Sequence, residues 1–321
     1  MSKGLVSVVV PVYNISEHLG RCLESLASQT YEEIEVLLID DGSTDESPKI
    51  CLDYAERFDN FRYFRKENGG LSDARNFGIE KGRGEFVSLV DGDDYVASDF
   101  IELLVKAIDS DGVDISVCSY QTVCGGCCFP YRIESETVSG VDAMKRLIAE
   151  QRLVDVVAWN KLYRKTLFDS IRYPVGKLHE DVFTTYRLFA DSQLVRYIDS
   201  PAYRYVQRGG SIMASMSRKR LEVLDAENEM RALCDSRGIQ ARMELEAFSL
   251  STRISLMARI AKSGKLNELA EEYRQLRHRL SLRRCLANPF ISSKQTLVCL
   301  TCKAIPQAIT LLARCRSFLF R

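Results

Sequence analysis

The chain has 321 residues, 46% of them hydrophobic and 27% charged, with 44 Lys and Arg against 44 Asp and Glu. This composition excludes wholesale disorder and a collagen-like fibre, and the length suits one large α/β domain with an extension or two modest domains. The zero net charge hides an asymmetry. Residues 1–272 carry 34 basic and 44 acidic groups, a net of −10, whereas the 49 residues after Glu272 hold ten basic side chains and no carboxylate. An acidic body argues against nucleic acid as a partner, because that needs a basic face to displace counterions.

The first 120 residues alternate apolar runs with amphipathic stretches, the rhythm of βα units. Residues 5–10 form a β-branched strand run closed by Pro11, and residues 18–28 space Leu19, Cys22, Leu23 and Leu26 as a helix with Ser16 as N-cap. Strands are expected at 35–39, 61–64, 86–90 and 114–119, with helices at 47–58 (Pro48 at its first position), 71–78 and 99–110. Both faces of such a parallel sheet would be covered by helices. Residues 120–135 read as an excursion, 141–150 as a helix, and 154–163 hold the only tryptophan, Trp159. A helix over 182–190 follows His179-Glu180-Asp181, and 194–198 suit a last strand. From about 217 to 282 the pattern is helical, which divides the chain into residues 1–214 and a helical C-terminal region, 215–321.

Eleven cysteines are an odd number at irregular spacing, and no charged-then-apolar leader precedes residue 5. Reduced thiols in a cytoplasmic setting are therefore expected. The two close groups, Cys124/Cys127/Cys128 and Cys299/Cys302, lie about 170 residues apart, unlike the paired knuckles of a structural zinc site.

In open α/β sheets ligands bind outside the carboxyl ends of the strands, and three of those ends are polar. The first strand leads into Pro11-Val12-Tyr13-Asn14, the second into Asp40-Asp41-Gly42-Ser43, and the strand at 86–90 into Asp91-Gly92-Asp93-Asp94. Three carboxylates within four residues repel unless a cation compensates, and hard oxygen ligands select Mg²⁺ or Mn²⁺. The glycine-rich segment from Asn68 through Gly70 to Arg75 could face an anion with backbone N–H groups and a guanidinium. One carboxylate of Glu180-Asp181 could act as a general base on an incoming hydroxyl. Each motif alone also has a structural reading, as an acidic turn, an Asx turn or a helix cap.

Taken together and in this order, V-S-V-V-V-P-V-Y-N (6–14), S-L-x-S-Q-T (25–30), I-D-D-G-S-T-D (39–45), N-G-G-L-S-x-A-R-N (68–76), D-G-D-D (91–94), W-N-K-L-Y-R (159–164) and H-E-D (179–181) resemble the family 2 inverting glycosyltransferases. The resemblance covers residues 4–210 and implies a mostly parallel nucleotide-binding sheet flanked by helices, the glycosyltransferase A-type fold, followed here by a helical extension. It implies that Pro11, Val12, Tyr13, Asn14, Asp41, Asn68, Gly70, Arg75, Asp91, Gly92 and Asp93 receive a nucleotide sugar, with Asp41 on the base and Arg75 near base and phosphates. Asp93 and Asp94 would hold Mg²⁺ or Mn²⁺, Asp181 would be the general base beside Glu180, and Trp159, Asn160, Lys161 and His179 would line the acceptor side. The implied donor is a UDP-sugar and the acceptor a glycan or lipid-linked saccharide in polysaccharide synthesis. A nucleotidyltransferase of related fold lacks support because Pro11–Asn14 stands where its phosphate loop would be. A catalytically silent nucleotide-sugar-binding protein sits poorly with intact acidic groups at all three positions.

The tail interleaves Arg274, Arg277, Arg279, Arg283, Arg284, Lys294, Lys303, Arg314, Arg316 and Arg321 with apolar residues. Its charge-free runs, 295–302 and 304–313, are too short to span a bilayer. The tail then reads either as a solvated helical extension, as charge runs usually are, or as a peripheral segment on the inner face of the cell membrane.

Overall fold

The computed structural model describes residues 4–109, 112–207 and 216–304. The chain divides into two compact units, Met1–Met144 with Arg152–Arg208, and Lys145–Gln151 with Gly209–Arg321.

The first unit begins with β1 (Val6–Val12), α1 (Ser16–Ala27), β2 (Ile34–Asp40), α2 (Ser47–Arg57), β3 (Phe61–Arg65), α3 (Leu71–Lys81) and β4 (Phe86–Leu89). Every residue of β1, β2 and β4 is buried, as expected for parallel strands covered on both faces. β1 pairs in parallel with β2 and β4, and β2 with β3. Close cover on one face depends on Gly78 of α3, where a Cβ would lie 2.2 Å from Cγ1 of Val9. The start of α1 differs from expectation. Ser16 is its first helical residue rather than its cap, and the N–H groups of Ile15 and Ser16 are satisfied by Ser47 Oγ and Asp45 Oδ2.

Beyond β4 the sheet becomes mixed. After β5 (Tyr95–Val96) and α4 (Phe100–Ile108) come β6 (Val113–Cys124), β7 (Cys127–Tyr131), β8 (Thr137–Ser139), α5 (Gly140–Glu150), α6 (Leu153–Val156), β9 (Lys161–Arg164), α7 (Glu180–Asp191) and β10 (Leu194–Val206). The strand order is β3-β2-β1-β4-β9-β6-β10-β5, with β7 on β6 and β8 on β10. β9 runs antiparallel between β4 and β6, while β6 and β10 pair in parallel. The excursion at 120–135 is therefore a hairpin, because β6 continues through Cys124 and folds back as β7.

In the second unit, α8 (Val223–Ser236), α10 (Ala270–Arg279) and α12 (Ser293–Ala304) pack on α9 (Arg242–Lys262), and α11 (Leu282–Ala287) packs on α12. α9 is buried along much of its circumference, from Leu245 to Ala261, which marks it as the centre of a helical cluster. No helix among the described residues is long and apolar enough to cross a membrane. Arg314, Arg316, Arg321 and most of the 304–313 run lie outside the described residues.

Candidate active site

The carboxyl ends of β1, β2 and β3 are stitched together by side-chain hydrogen bonds. Asn14, at φ 50°, accepts the Thr44 N–H on Oδ1 at 2.8 Å and donates its own N–H to Ser43 Oγ at 3.1 Å. Asp40 is buried and accepts from Ser43 N and the Tyr63 hydroxyl. Burial would raise the Asp45 carboxyl, but donors on Ser16 and Ser47 outweigh it and hold the group at about 2. Pro11 and Val12 are buried while Tyr13 is half-exposed, so of this turn the Tyr13 ring and Asn14 face outward.

Asp41 is 3% exposed. Its oxygens accept from Lys66 Nζ at 2.6 Å, Gly69 N at 2.9 Å and Gly70 N at 2.7 Å. Lys66 also pairs with Asp73 at 2.5 Å. The carboxylate expected to meet the nucleotide base is thus the anchor of the glycine-rich loop. Gly70, at φ 86°, turns the chain into α3, a conformation that disfavours residues bearing a Cβ. Asn68 remains exposed beside it.

Arg75, one turn into α3, is 1% exposed and lies among three carboxylates from distant parts of the chain. Its Nη1 donates to Glu180 Oε1 at 2.8 Å and Asp181 Oδ1 at 2.9 Å, and its Nη2 donates to Asp91 Oδ1 at 2.9 Å. The Tyr173 ring lies 5.4 Å from the guanidinium, and Asn76 holds the Tyr173 backbone by two hydrogen bonds. Arg75, expected near base and phosphates, here has both terminal nitrogens engaged by carboxylates. Glu180 and Asp181 open α7, where the helix dipole favours negative charge. One cation nevertheless cannot neutralise three anions. Burial, reinforced by Glu180 and Asp91 and opposed by Arg75, pushes the Asp181 carboxyl up to about 7.

The D-G-D-D run separates into two roles. Asp91 and Asp93 are partly exposed, with Asp91 at 26%. Asp94 is 2% exposed, accepts Val206 N at 2.7 Å and the Tyr203 hydroxyl at 2.9 Å, and is pushed up to about 8 by burial and by Asp91. Asp94, expected beside Asp93 as a metal ligand, here has its oxygens turned inward, where they fasten β10. Gly92 is buried, and a Cβ there would meet Ile15 Cδ1 at 2.5 Å. Asp91 and Asp93 offer hard oxygen donors at one strand end, a sparse set that fits a Mg²⁺ or Mn²⁺ taking its other ligands from water and phosphate.

The residues expected on the acceptor side do not form an open wall. Trp159 is 3% exposed and stacks 4.2 Å from Tyr203 and 5.5 Å from Tyr205. Asn160 donates to Cys118 O and Val154 O, and Lys161 Nζ donates to Val154 O, Val157 O and Asn160 Oδ1. Both are fully buried, and burial draws the Lys161 amine down to about 7 against the pull of Asp155 and Asp181. This pair fixes the carbonyl end of α6, and Thr185 of α7 donates to Val156 O beside it. The chain Lys161–α6–Thr185 therefore supports the helix that carries Asp181. His179, at φ 61°, immediately precedes that helix. Lys66, Tyr173 and Tyr203 carry no local mark in the sequence, since their contacts reach across 25 to 112 residues.

Residues 7–172 match the family model for glycosyl transferase family 2. The chain belongs to that family. This family 2 glycosyltransferase is 33% identical over 261 residues to glycosyltransferase GlyA of Streptococcus pneumoniae, an alignment covering 78% of this chain and 38% of GlyA. The chain thus spans well under half the length of that relative. The crystal structure of S. aureus TarS 1-349 in complex with UDP-GlcNAc superposes with a TM-score of 0.73 at 22% identity, over 97% of this chain and 92% of that one. Mannosyltransferase PcManGT from Pyrobaculum calidifontis, in complex with GDP-Man and Mn²⁺, superposes with a TM-score of 0.57 at 17% identity, over 98% and 87%. These two likenesses establish the mixed α/β fold with its C-terminal helices.

Proposed function

We propose that this glycosyltransferase moves a sugar from a UDP-sugar to a hydroxyl of a glycan or lipid-linked acceptor, with inversion at the anomeric carbon. The observation that carries this reading is the Arg75 cluster. It ties Asp91, at the strand end suited to a diphosphate, to Glu180 and Asp181, which suit the acceptor hydroxyl. TarS with UDP-GlcNAc supports the choice of a UDP-linked donor.

In the proposed reaction Asp181 accepts the proton of the acceptor hydroxyl as that oxygen attacks the anomeric carbon from the face opposite the departing diphosphate. A carboxylate raised toward neutrality is a better base than an exposed one near 4. Arg75 fixes the direction in which Asp181 and Glu180 point, and Asp41 with Lys66 holds the glycine-rich loop against the end of β2. Asp93, with Asp91, would hold Mg²⁺ or Mn²⁺, which when bound supplies positive charge against the leaving diphosphate. PcManGT with GDP-Man and Mn²⁺ supports this use of a cation.

The test is a thermal-shift panel of nucleotide sugars with and without Mn²⁺, followed by transfer assays with the donor that binds. A true donor raises the midpoint by mass action, and Asp93→Ala should lose the Mn²⁺-dependent part of the shift. A panel with no shift for any nucleotide sugar would refute the reading.

We further propose that the basic C-terminal region meets an anionic membrane surface, where each basic group contributes about 1 kcal/mol. Some of its charge is already met within the chain: Arg274 pairs with Glu271, Arg284 lies 3.6 Å from Glu246, and Lys303 donates to Leu280 O. Reversing the charge of Arg283, Lys294, Arg314 and Arg316 should abolish co-sedimentation with phosphatidylserine vesicles at low salt. Unchanged sedimentation would remove this part of the reading.

A further inference from the structure

The tip of the β6–β7 hairpin takes no part in the chemistry proposed above. Cys124 ends β6 and Cys127 and Cys128 open β7, and all three are exposed, whereas the other seven cysteines among the described residues are buried. Burial pushes the thiols of Cys51 and Cys118, for example, up to about 12, which keeps them inert.

The register determines which of the three exposed thiols can meet. Cys124 stands directly opposite Cys127, and Val123 opposite Cys128. Gly125 and Gly126 join the strands at φ 56° and 81°, the two positive values that a type I′ hairpin requires. Directly opposed residues of an antiparallel pair have Cα atoms about 4.5–5.5 Å apart, inside the window of about 4.4–6.8 Å that a disulfide spans. Side chains alternate along a strand, so Cys128 points to the face of the hairpin opposite from Cys127. Two thiols share a face and the third is turned away. A structural zinc site draws on four ligands, and no group of three or more His, Cys, Asp or Glu is placed to hold a metal among the described residues.

We propose that Cys124 and Cys127 are a redox-active dithiol that forms a reversible intramolecular disulfide by exchange with a low-molecular-weight disulfide such as oxidised glutathione. One thiolate attacks the glutathione disulfide, forming a mixed disulfide and releasing one glutathione thiolate. The second thiolate attacks the protein sulfur of that mixed disulfide and releases the second glutathione. Two electrons pass from the cysteine pair to the glutathione disulfide, and the two thiol protons pass to the two glutathione thiolates. The cross-link pins the hairpin in the register that stacks Tyr131 on Tyr120 at 5.0 Å.

The experiment equilibrates the full chain in glutathione buffers of graded oxidation, alkylates it without denaturant and locates each sulfur by tandem mass spectrometry. Expected is a Cys124–Cys127 link with loss of alkylation at both, reversed by reduced glutathione, while Cys128 stays alkylated or carries glutathione alone. In Cys127→Ser the reaction should stop at glutathione on Cys124, with the thermal midpoint of the variant unchanged. A link through Cys128, or glutathione on Cys124 to the same extent in wild type and Cys127→Ser, overturns the proposal. So does stoichiometric Zn²⁺ that survives gel filtration and is lost in Cys127→Ser.

Discussion

Two buried carboxylate sites lie at opposite ends of the same strands, and their charge balance differs. At the start of β2, Glu35 accepts from Ser7 Oγ, Arg83 N, Arg83 Nε and Arg62 Nη1. Burial alone would raise its pKa, but these donors outweigh burial and hold the carboxyl below its ordinary value. Around Arg75 the ratio is inverted, with one guanidinium shared by Asp91, Glu180 and Asp181. There burial and the like charges prevail, and Asp181 rises to about 7. Two cations on one anion make a fastener. One cation on three anions leaves surplus negative charge for a proton or an electrophile to satisfy.

The strongest way to break this comparison is to remove the shared cation. Arg75→Met leaves three carboxylates buried or half-buried without a partner and should cost about 3–5 kcal/mol in urea unfolding, with loss of transfer. A stability change under about 1 kcal/mol would mean that the cluster is not held by charge. Next comes Asp181→Asn, which removes the base and keeps the shape. Turnover should fall about 10²–10⁴-fold while the donor-induced thermal shift persists. The base acts ionised, so wild-type kcat should climb with pH through about 7 and level off above it. A flat profile would assign the proton to another acceptor.

The strands and helices that place these groups were legible because buried parallel strands read as apolar runs and the helices on them as period-3.6 stripes. Expected and observed elements from β1 to β4 agree to within a few residues. The mixed half was harder to read. β6 continues past Ser119 through Tyr120, Gln121 and Thr122, whose polar character resembles a loop although each pairs with β10 and β7. The site residues stood out as motifs, but their directions did not, since direction depends on partners far along the chain. Nothing near Asp94 reveals that Tyr203 and Val206 will claim its oxygens, nor does W-N-K reveal that Lys161 is consumed by the carbonyls of α6.

A smaller effect is expected at the fastener. Glu35→Gln should cost about 1–3 kcal/mol of stability and leave kcat untouched, since Glu35 sits at the start of β2 and makes no contact with the Arg75 cluster. Its pH dependence has the opposite sense to that of the base. A carboxyl held below its ordinary 4.5 in the fold contributes stability that is present above that value and is lost as pH falls through the folded one. Wild type should therefore lose more stability than Glu35→Gln on acidification, and parallel acid curves would deny the fastener its charge.

The smallest effect is expected at Asp94, and it separates the two roles within the D-G-D-D run. A carboxyl raised to about 8 by burial and by Asp91 is protonated at neutral pH. An asparagine is likewise uncharged: its Oδ1 can still accept the Val206 N–H, and its Nδ2 can donate to the Tyr203 oxygen, reversing the bond that the Tyr203 hydroxyl gives Asp94 Oδ2. Asp94→Asn should change stability by less than about 1 kcal/mol below about pH 4, where the side chain is uncharged both folded and unfolded. The native state holds a proton that the unfolded chain releases near 3.8, so wild type loses stability as pH rises from about 4 to about 8, and the variant is spared that loss. Mn²⁺-dependent donor binding should survive in Asp94→Asn and disappear in Asp93→Ala. Equal loss in both would return Asp94 to the metal and leave Tyr203 and Val206 as partners that it exchanges when donor binds.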